Sequence, residues 1–131
     1  SWEGNKIPVD LYLQNDMGLF CDRFNRKMSF GQWQRIPRKI NPKPNQAIIQ
    51  DKIVPGTYKL YANIGKRTLP ATPVDILIVF NPTEGEGTKV GNKKGIMITP
   101  SPAPYLNRSD TGTFIGEIQL TETTFNFIPA I

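Results

Sequence analysis

The chain contains no histidine. That excludes serine–histidine and cysteine–histidine nucleophile systems and the usual histidine cages of catalytic zinc. It contains one cysteine, Cys21, so neither an intrachain disulfide nor a zinc site of the cysteine type can form. The residues flanking Cys21 are mostly apolar, which suits a buried free thiol. No apolar run approaches the roughly 18 residues that a membrane-spanning helix needs. No extended stretch keeps a 3.6-residue apolar period, and neither an internal repeat nor a low-complexity segment is visible. Catalytic signatures are equally scarce. Asn81 to Gly91, NPTEGEGTKVG, is rich in glycine but lacks the spacing and the Gly-Lys-Ser/Thr end of a phosphate loop. Glu84 and Glu86 within it are not held at the defined separation that an acid/base pair requires. The residues imply no cofactor and no metal, and an enzyme is not expected. The chain begins at Ser1 rather than Met, which fits a mature or trimmed product.

What the chain does have is turns. It carries 12 prolines and 11 glycines in 131 residues, spread between short apolar runs. This is too much punctuation for a helical bundle. Val9, Leu11 and Leu13 alternate with Asp10, Tyr12 and Gln14, the period of a half-buried strand. Asn15 to Gly18 supplies residues that tolerate positive φ, so a hairpin turn is expected there. Leu19 to Phe24 reads as the second strand. Phe30-Gly31-Gln32-Trp33 follows, then a loop with Pro37, Pro42 and Pro44, which cannot sit inside a central strand. Ala47 to Ile53 reads as a third strand, Pro55-Gly56 as a turn, and Thr57 to Ile64 as a strand with Tyr58, Leu60 and Ala62 on one face.

Gly65-Lys66-Arg67 turns the chain again. Val74 to Phe80, VDILIVF, is the most continuous apolar run and is expected to be a central strand buried on both faces. Asn81 to Gly95 reads as a long loop, Gly95 to Thr99 as a short strand, and Pro100 to Asp110 as another loop. Phe114 to Leu120 and Thr123 to Ile128 close the chain as strands. At this length one domain is expected, able to bury roughly two thirds of its unfolded surface. The fold expected is an all-β, single-domain antiparallel β-sandwich of about eight short strands.

Charge is the remaining signal. The formal net charge is +5 and the sequence pI about 9.5, which favours an anionic partner. Arg23, Arg26, Lys27, Arg35, Arg38, Lys39 and Lys43 form one cluster, and no acid occurs between Arg23 and Gln50. Phosphates or anionic lipid head groups would be attracted to such a rim, each cation adding roughly 1 kcal/mol at an anionic membrane. The same charges also serve simply as a solvated loop. Trp33, Phe30 and Trp2 suit either a core position or a boundary between apolar and wet surroundings. Asn107-Arg108-Ser109 fits the N-glycosylation pattern.

Strand, Asn-x-x-Gly turn, strand, Gly-x-Trp and proline-containing loop together resemble the start of the aegerolysin family. The matching residues are Asn15, Gly18, Gly31, Trp33 and Pro37. DILIVFNPTEGEGTKVG at Asp75 to Gly91 resembles the strand of that family that ends in an Asn-Pro turn before a glycine-rich loop. Ile53 to Thr72 departs from the family's pattern, with Tyr58-Lys59-Leu60-Tyr61 where a glycine-rich segment would stand. The resemblance implies a secreted β-sandwich that recognises particular membrane lipids without catalysis. Some members of that family form pores together with a larger partner protein. Of the family's lipid-contacting tryptophans, only Trp33 corresponds here.

The functional expectation is therefore a secreted, non-enzymatic membrane- or lipid-binding protein, one component of a cytolytic pair if the resemblance extends that far. The alternative is a secreted effector or defence protein that binds an acidic protein or glycan surface. Nucleic acid is a less favoured partner, although Phe24, Phe30 and Trp33 interleave with the cations. The residues expected to make the contact are Arg26, Lys27, Trp33, Arg35, Arg38 and Lys39.

Overall fold

A computed structural model describes residues 9–36, 45–64, 72–80, 89–98 and 113–130. The fold is all-β, and every strand pairing in it is antiparallel. The strands are β1 (Val9–Gln14), β2 (Phe20–Cys21), β3 (Lys27–Met28), β4 (Gly31–Ile36), β5 (Asn45–Ile49), β6 (Gly56–Ile64), β7 (Thr72–Phe80), β8 (Lys89–Ile98), β9 (Thr113–Leu120) and β10 (Phe125–Pro129). They form a five-stranded sheet in the order β10-β9-β6-β1-β2, a three-stranded sheet β3-β4-β5 and a two-stranded sheet β7-β8.

The hairpin expected at Asn15 to Gly18 is present. Gly18 donates its amide to the Asn15 carbonyl at 3.1 Å, and the Asn15 side chain accepts the amides of Met17 and Leu19 at 3.1 and 2.8 Å. Gly18 has φ of 84°, a left-handed conformation that costs glycine little. The second strand is much shorter than its apolar run predicts. It stops at Cys21 because Asp22 folds the chain back: its Oδ1 accepts the amides of Phe24 and Asn25 at 2.8 and 3.0 Å. A short carboxylate offering local hydrogen bonds competes successfully with a ladder here.

β6 is the central strand, paired on one side with β1 and on the other with β9. Its Tyr58, Leu60 and Ala62 are buried on one face, as their alternation requires. They join Leu13, Cys21, Phe30, Trp33, Ile98, Ile115 and Ile118 in a single core. Gly31 explains the Gly-x-Trp spacing in packing terms. A Cβ there would lie 2.9 Å from the Ile48 side chain and 3.5 Å from Cys21 Sγ, so glycine lets β4 close against β2 and β5. Trp33, two residues on, then points to the same buried side.

Two expectations need correction. Val74 to Phe80 is not a central strand covered on both faces. β7 pairs only with β8 among the described strands, and it alternates: Val74, Ile76 and Ile78 are half-buried and Phe80 is buried, whereas Leu77 and Val79 are exposed. A continuous apolar run is compatible with two covered faces but does not demand them. The long loop expected over Asn81 to Gly95 instead contains most of β8, which starts at Lys89. Its polar composition hid a strand whose register is set by pairing with β7. The inner face of this hairpin packs on β10: Phe80 stacks on Phe125 with centroids 5.5 Å apart, and a Cβ on Gly91 would lie 3.1 Å from that of Phe127. Trp2, Pro37, Pro42, Pro44, the Gly65–Arg67 turn, Glu84, Glu86 and Asn107 lie outside the described residues.

Candidate functional site

The basic cluster is built on one polar chain of contacts that ties β1 to the small sheet. Trp33 on β4 pairs with Ile48 on β5, and Arg35 pairs with Gln46, so these four lie on one face. The Trp33 indole Nε1 donates to Gln46 Oε1 at 2.9 Å. The same oxygen accepts the backbone amide of Leu11 at 2.9 Å, a donor on the edge of β1. Gln46 Nε2 in turn donates to Asp10 Oδ1 at 3.0 Å. Arg23 Nε lies 3.2 Å from that carboxylate oxygen, an ion pair whose angle falls short of a hydrogen bond. Asp10 is 4% exposed, so the arginine and the amide compensate a carboxylate taken out of water.

Trp33 itself is 4% exposed. Its indole is a buried platform and does not project into solvent, so the expected insertion of Trp33 at head-group depth does not fit its position. The cations above it are solvent-exposed. The Arg26 guanidinium carbon lies 4.9 Å from the centre of the Trp33 ring, and that of Arg35 lies 5.8 Å away. Arg26 reaches this place because Trp33 donates its amide to the Arg26 carbonyl at 2.7 Å, and Arg26 Nε donates to the Arg23 carbonyl at 3.0 Å. Cation–π contacts at exposed sites contribute only about 0.5–1 kcal/mol each. They orient the guanidinium groups without tying them down, and bidentate contact with a phosphate is the stronger alternative.

The aromatic residue that meets water in this rim is Phe24. It is 44% exposed at the tip of the Asp22–Asn25 turn, with the Arg23 guanidinium 4.4 Å from its ring centre. Sequence reasoning missed its role as the exposed apolar member. The signal was available in Asp22 and Asn25, three residues apart, a pattern that favours a tight turn with Phe24 at its apex. Gln46 had no comparable signal, because one polar residue in a strand does not announce the bonds its side chain will make.

Of the expected site residues, the fold brings together Arg26, Trp33 and Arg35. Lys27 is one residue out of step. It pairs with Gln32, the neighbour of Trp33, and so faces the other side of the small sheet. There it lines an open cleft of about 560 Å³ with Met28, Gln32, Ile49, Lys52 and Val54. Arg38 and Lys39, with Lys43, lie outside the described residues.

Cys21 is fully buried and free. Burial, reinforced by the neighbouring Asp22 carboxylate, pushes its thiol up from 9.0 to about 11, so it is not poised as a nucleophile. No family model matches the chain, and neither curated proteins nor solved structures give a match.

Proposed function

We propose that this chain is a non-enzymatic protein that docks on anionic membrane surfaces through Arg26, Arg35 and Phe24. The observation that carries the proposal is the pair of exposed guanidinium groups held over one buried indole, beside a solvent-facing phenyl ring. Arginine supplies bidentate contacts to lipid phosphate. Phe24 supplies the short-range apolar contact that an interfacial aromatic makes with the head-group layer. Trp33 acts underneath, as the surface that fixes where the two arginines start. The net charge of +5 favours the same partner at longer range.

The resemblance to aegerolysins supports the same class of activity. It extends the proposal to a secreted protein that recruits a larger partner once on the membrane. The cleft containing Lys27 and Lys52 lies on the opposite face of the small sheet and is not needed for this contact. Flotation of the protein with vesicles tests the proposal. Vesicles of phosphatidylcholine and phosphatidylglycerol should carry it upward at low salt, and progressively less as salt rises. Equal flotation with phosphatidylcholine alone, or none with either, would count against it.

A further inference from the structure

The small sheet sets the spacing of Arg26 and Arg35. Lys27 pairs with Gln32, and Trp33 donates its amide to the Arg26 carbonyl at 2.7 Å, so Arg26 stands directly across from Trp33. Arg35 lies two residues along β4 from Trp33, so all three side chains leave the same face. Arg26 and Arg35 are therefore diagonal neighbours, about 7–8 Å apart at the sheet. Their guanidinium groups converge on one ring, 4.9 and 5.8 Å from its centre.

Both heads keep donors available. Arg26 and Arg35 are exposed. Arg26 engages Nε on the Arg23 carbonyl and keeps its two Nη groups, and Arg35 makes no hydrogen bond to a described residue. Among the described residues neither forms an ion pair, and the buried Asp10 carboxylate is held by Arg23 instead.

Two neighbouring guanidinium forks can use more acceptors than a phosphodiester offers. A diester head group such as that of phosphatidylglycerol carries one charge and two unesterified oxygens, enough for one fork. A phosphomonoester carries three such oxygens and about −1.5 to −2 charges at pH 7. Two forks can engage it together by sharing an oxygen, each at about 2.7–2.9 Å. Phe24, 44% exposed beside these arginines, favours a lipid as the source of the phosphate, because a phenyl ring gains only where an apolar boundary is present.

Resting on the membrane-docking reading above, we infer that Arg26 and Arg35 together form a phosphomonoester site, which selects lipids with a terminal phosphate, of the phosphatidic acid type, over phosphodiester lipids at equal surface charge.

The test is flotation with vesicles of phosphatidylcholine that contain either phosphatidic acid or phosphatidylglycerol, in proportions adjusted to equal zeta potential. Wild type should bind the phosphatidic acid vesicles about tenfold more tightly. Arg26→Lys with Arg35→Lys keeps both charges and removes both forks. This variant should bind the two kinds of vesicle equally, with the affinity that wild type shows for phosphatidylglycerol. Equal wild-type affinities for the two overturn the phosphomonoester site and leave docking on anionic membranes standing, whatever the variant does. Absence of flotation with either overturns both. A preference for phosphatidic acid that survives in the lysine variant overturns the assignment to these two arginines. Glycerol phosphate added in solution should displace the protein from phosphatidic acid vesicles only at millimolar concentration. Displacement at micromolar concentration overturns the lipid source in favour of a soluble phosphomonoester.

Discussion

Trp33 and Gln46 share a hydrogen bond of 2.9 Å that also determines how the small sheet meets the large one. The acceptor, Gln46 Oε1, takes the Leu11 amide as well, and the other end of the same amide holds Asp10. One side chain thus satisfies an indole, a strand edge and a buried carboxylate. Removing it deprives the indole and the strand edge of their acceptor and leaves Asp10 with the Arg23 ion pair in place of two contacts. Gln46→Met keeps the volume and removes both polar atoms. It should cost more than about 2 kcal/mol, since each buried polar group left unpaired costs about 1–3 kcal/mol. Trp33→Phe removes the indole donor and part of a buried ring, so its loss combines an acceptor deprived of one donor with lost packing. Urea unfolding of the two variants checks both losses, and midpoints equal to wild type for either would refute it.

Gly31 is a steric prediction. A methyl group there meets the Ile48 side chain at 2.9 Å and Cys21 Sγ at 3.5 Å. Gly31→Ala should therefore destabilise by about 1–3 kcal/mol through overpacking. Gly31→Ala combined with Ile48→Ala should lose less than the sum of the two single losses, because alanine lacks the Cγ2 methyl that the new Cβ meets. Thermal melting of the two single variants and the double variant decides this, and an additive loss in the double variant would contradict it.

Cys21 gives a pH dependence with a definite sign. Burial raises its folded value from 9.0 to about 11, so the folded chain holds the thiol proton more tightly than the unfolded chain does. Stability from this source is fully present below about pH 9 and is lost as pH rises towards 11. The slope of unfolding free energy against pH should be steeper in wild type than in Cys21→Ala across that window. Tyr58, also raised by burial, titrates in both proteins and cancels in the comparison. Parallel slopes would contradict the assignment.

The β7–β8 hairpin separates what the sequence could reveal from what it could not. Apolarity and β-branching made Val74 to Phe80 legible as a strand, and the turn residues made most other strands legible too. Number of covered faces was not legible, because an unbroken apolar run looks the same whether its second face meets protein or water. Only the end of β8, from Gly95, is legible as a strand; its first part is hidden for the complementary reason, since its lysines and glycines look like loop and its pairing is non-local. Around the site, the cationic cluster was visible as charge, but its division was not. Lys27 and Arg26 are neighbours in sequence and fall on opposite sides because Lys27 pairs with Gln32 while the Arg26 guanidinium lies over Trp33, the next residue of β4. Trp33 could be read either as core or as boundary, and only packing chose the core.

That alternation can be tested in β7 directly. Ile78 is half-buried against the core and Leu77 is exposed beside it. Ile78→Thr should cost about 1–3 kcal/mol, by the lost apolar burial and the added hydroxyl, and Leu77→Thr less than about 0.5 kcal/mol. Denaturant midpoints of the pair check this, and equal losses would mean that both faces are covered.

The most direct test of the membrane proposal is the salt dependence of vesicle binding by Arg26→Ala combined with Arg35→Ala. Affinity for vesicles of phosphatidylcholine and phosphatidylglycerol is measured by flotation across a salt series, for wild type and the double variant. Neither guanidinium group is needed for the core, so the variant should remain folded. The prediction is weaker binding at low salt and a flatter decline as salt rises, with the curves converging at high salt. A double variant that binds with unchanged affinity and unchanged slope would contradict the assignment of Arg26 and Arg35 to the membrane.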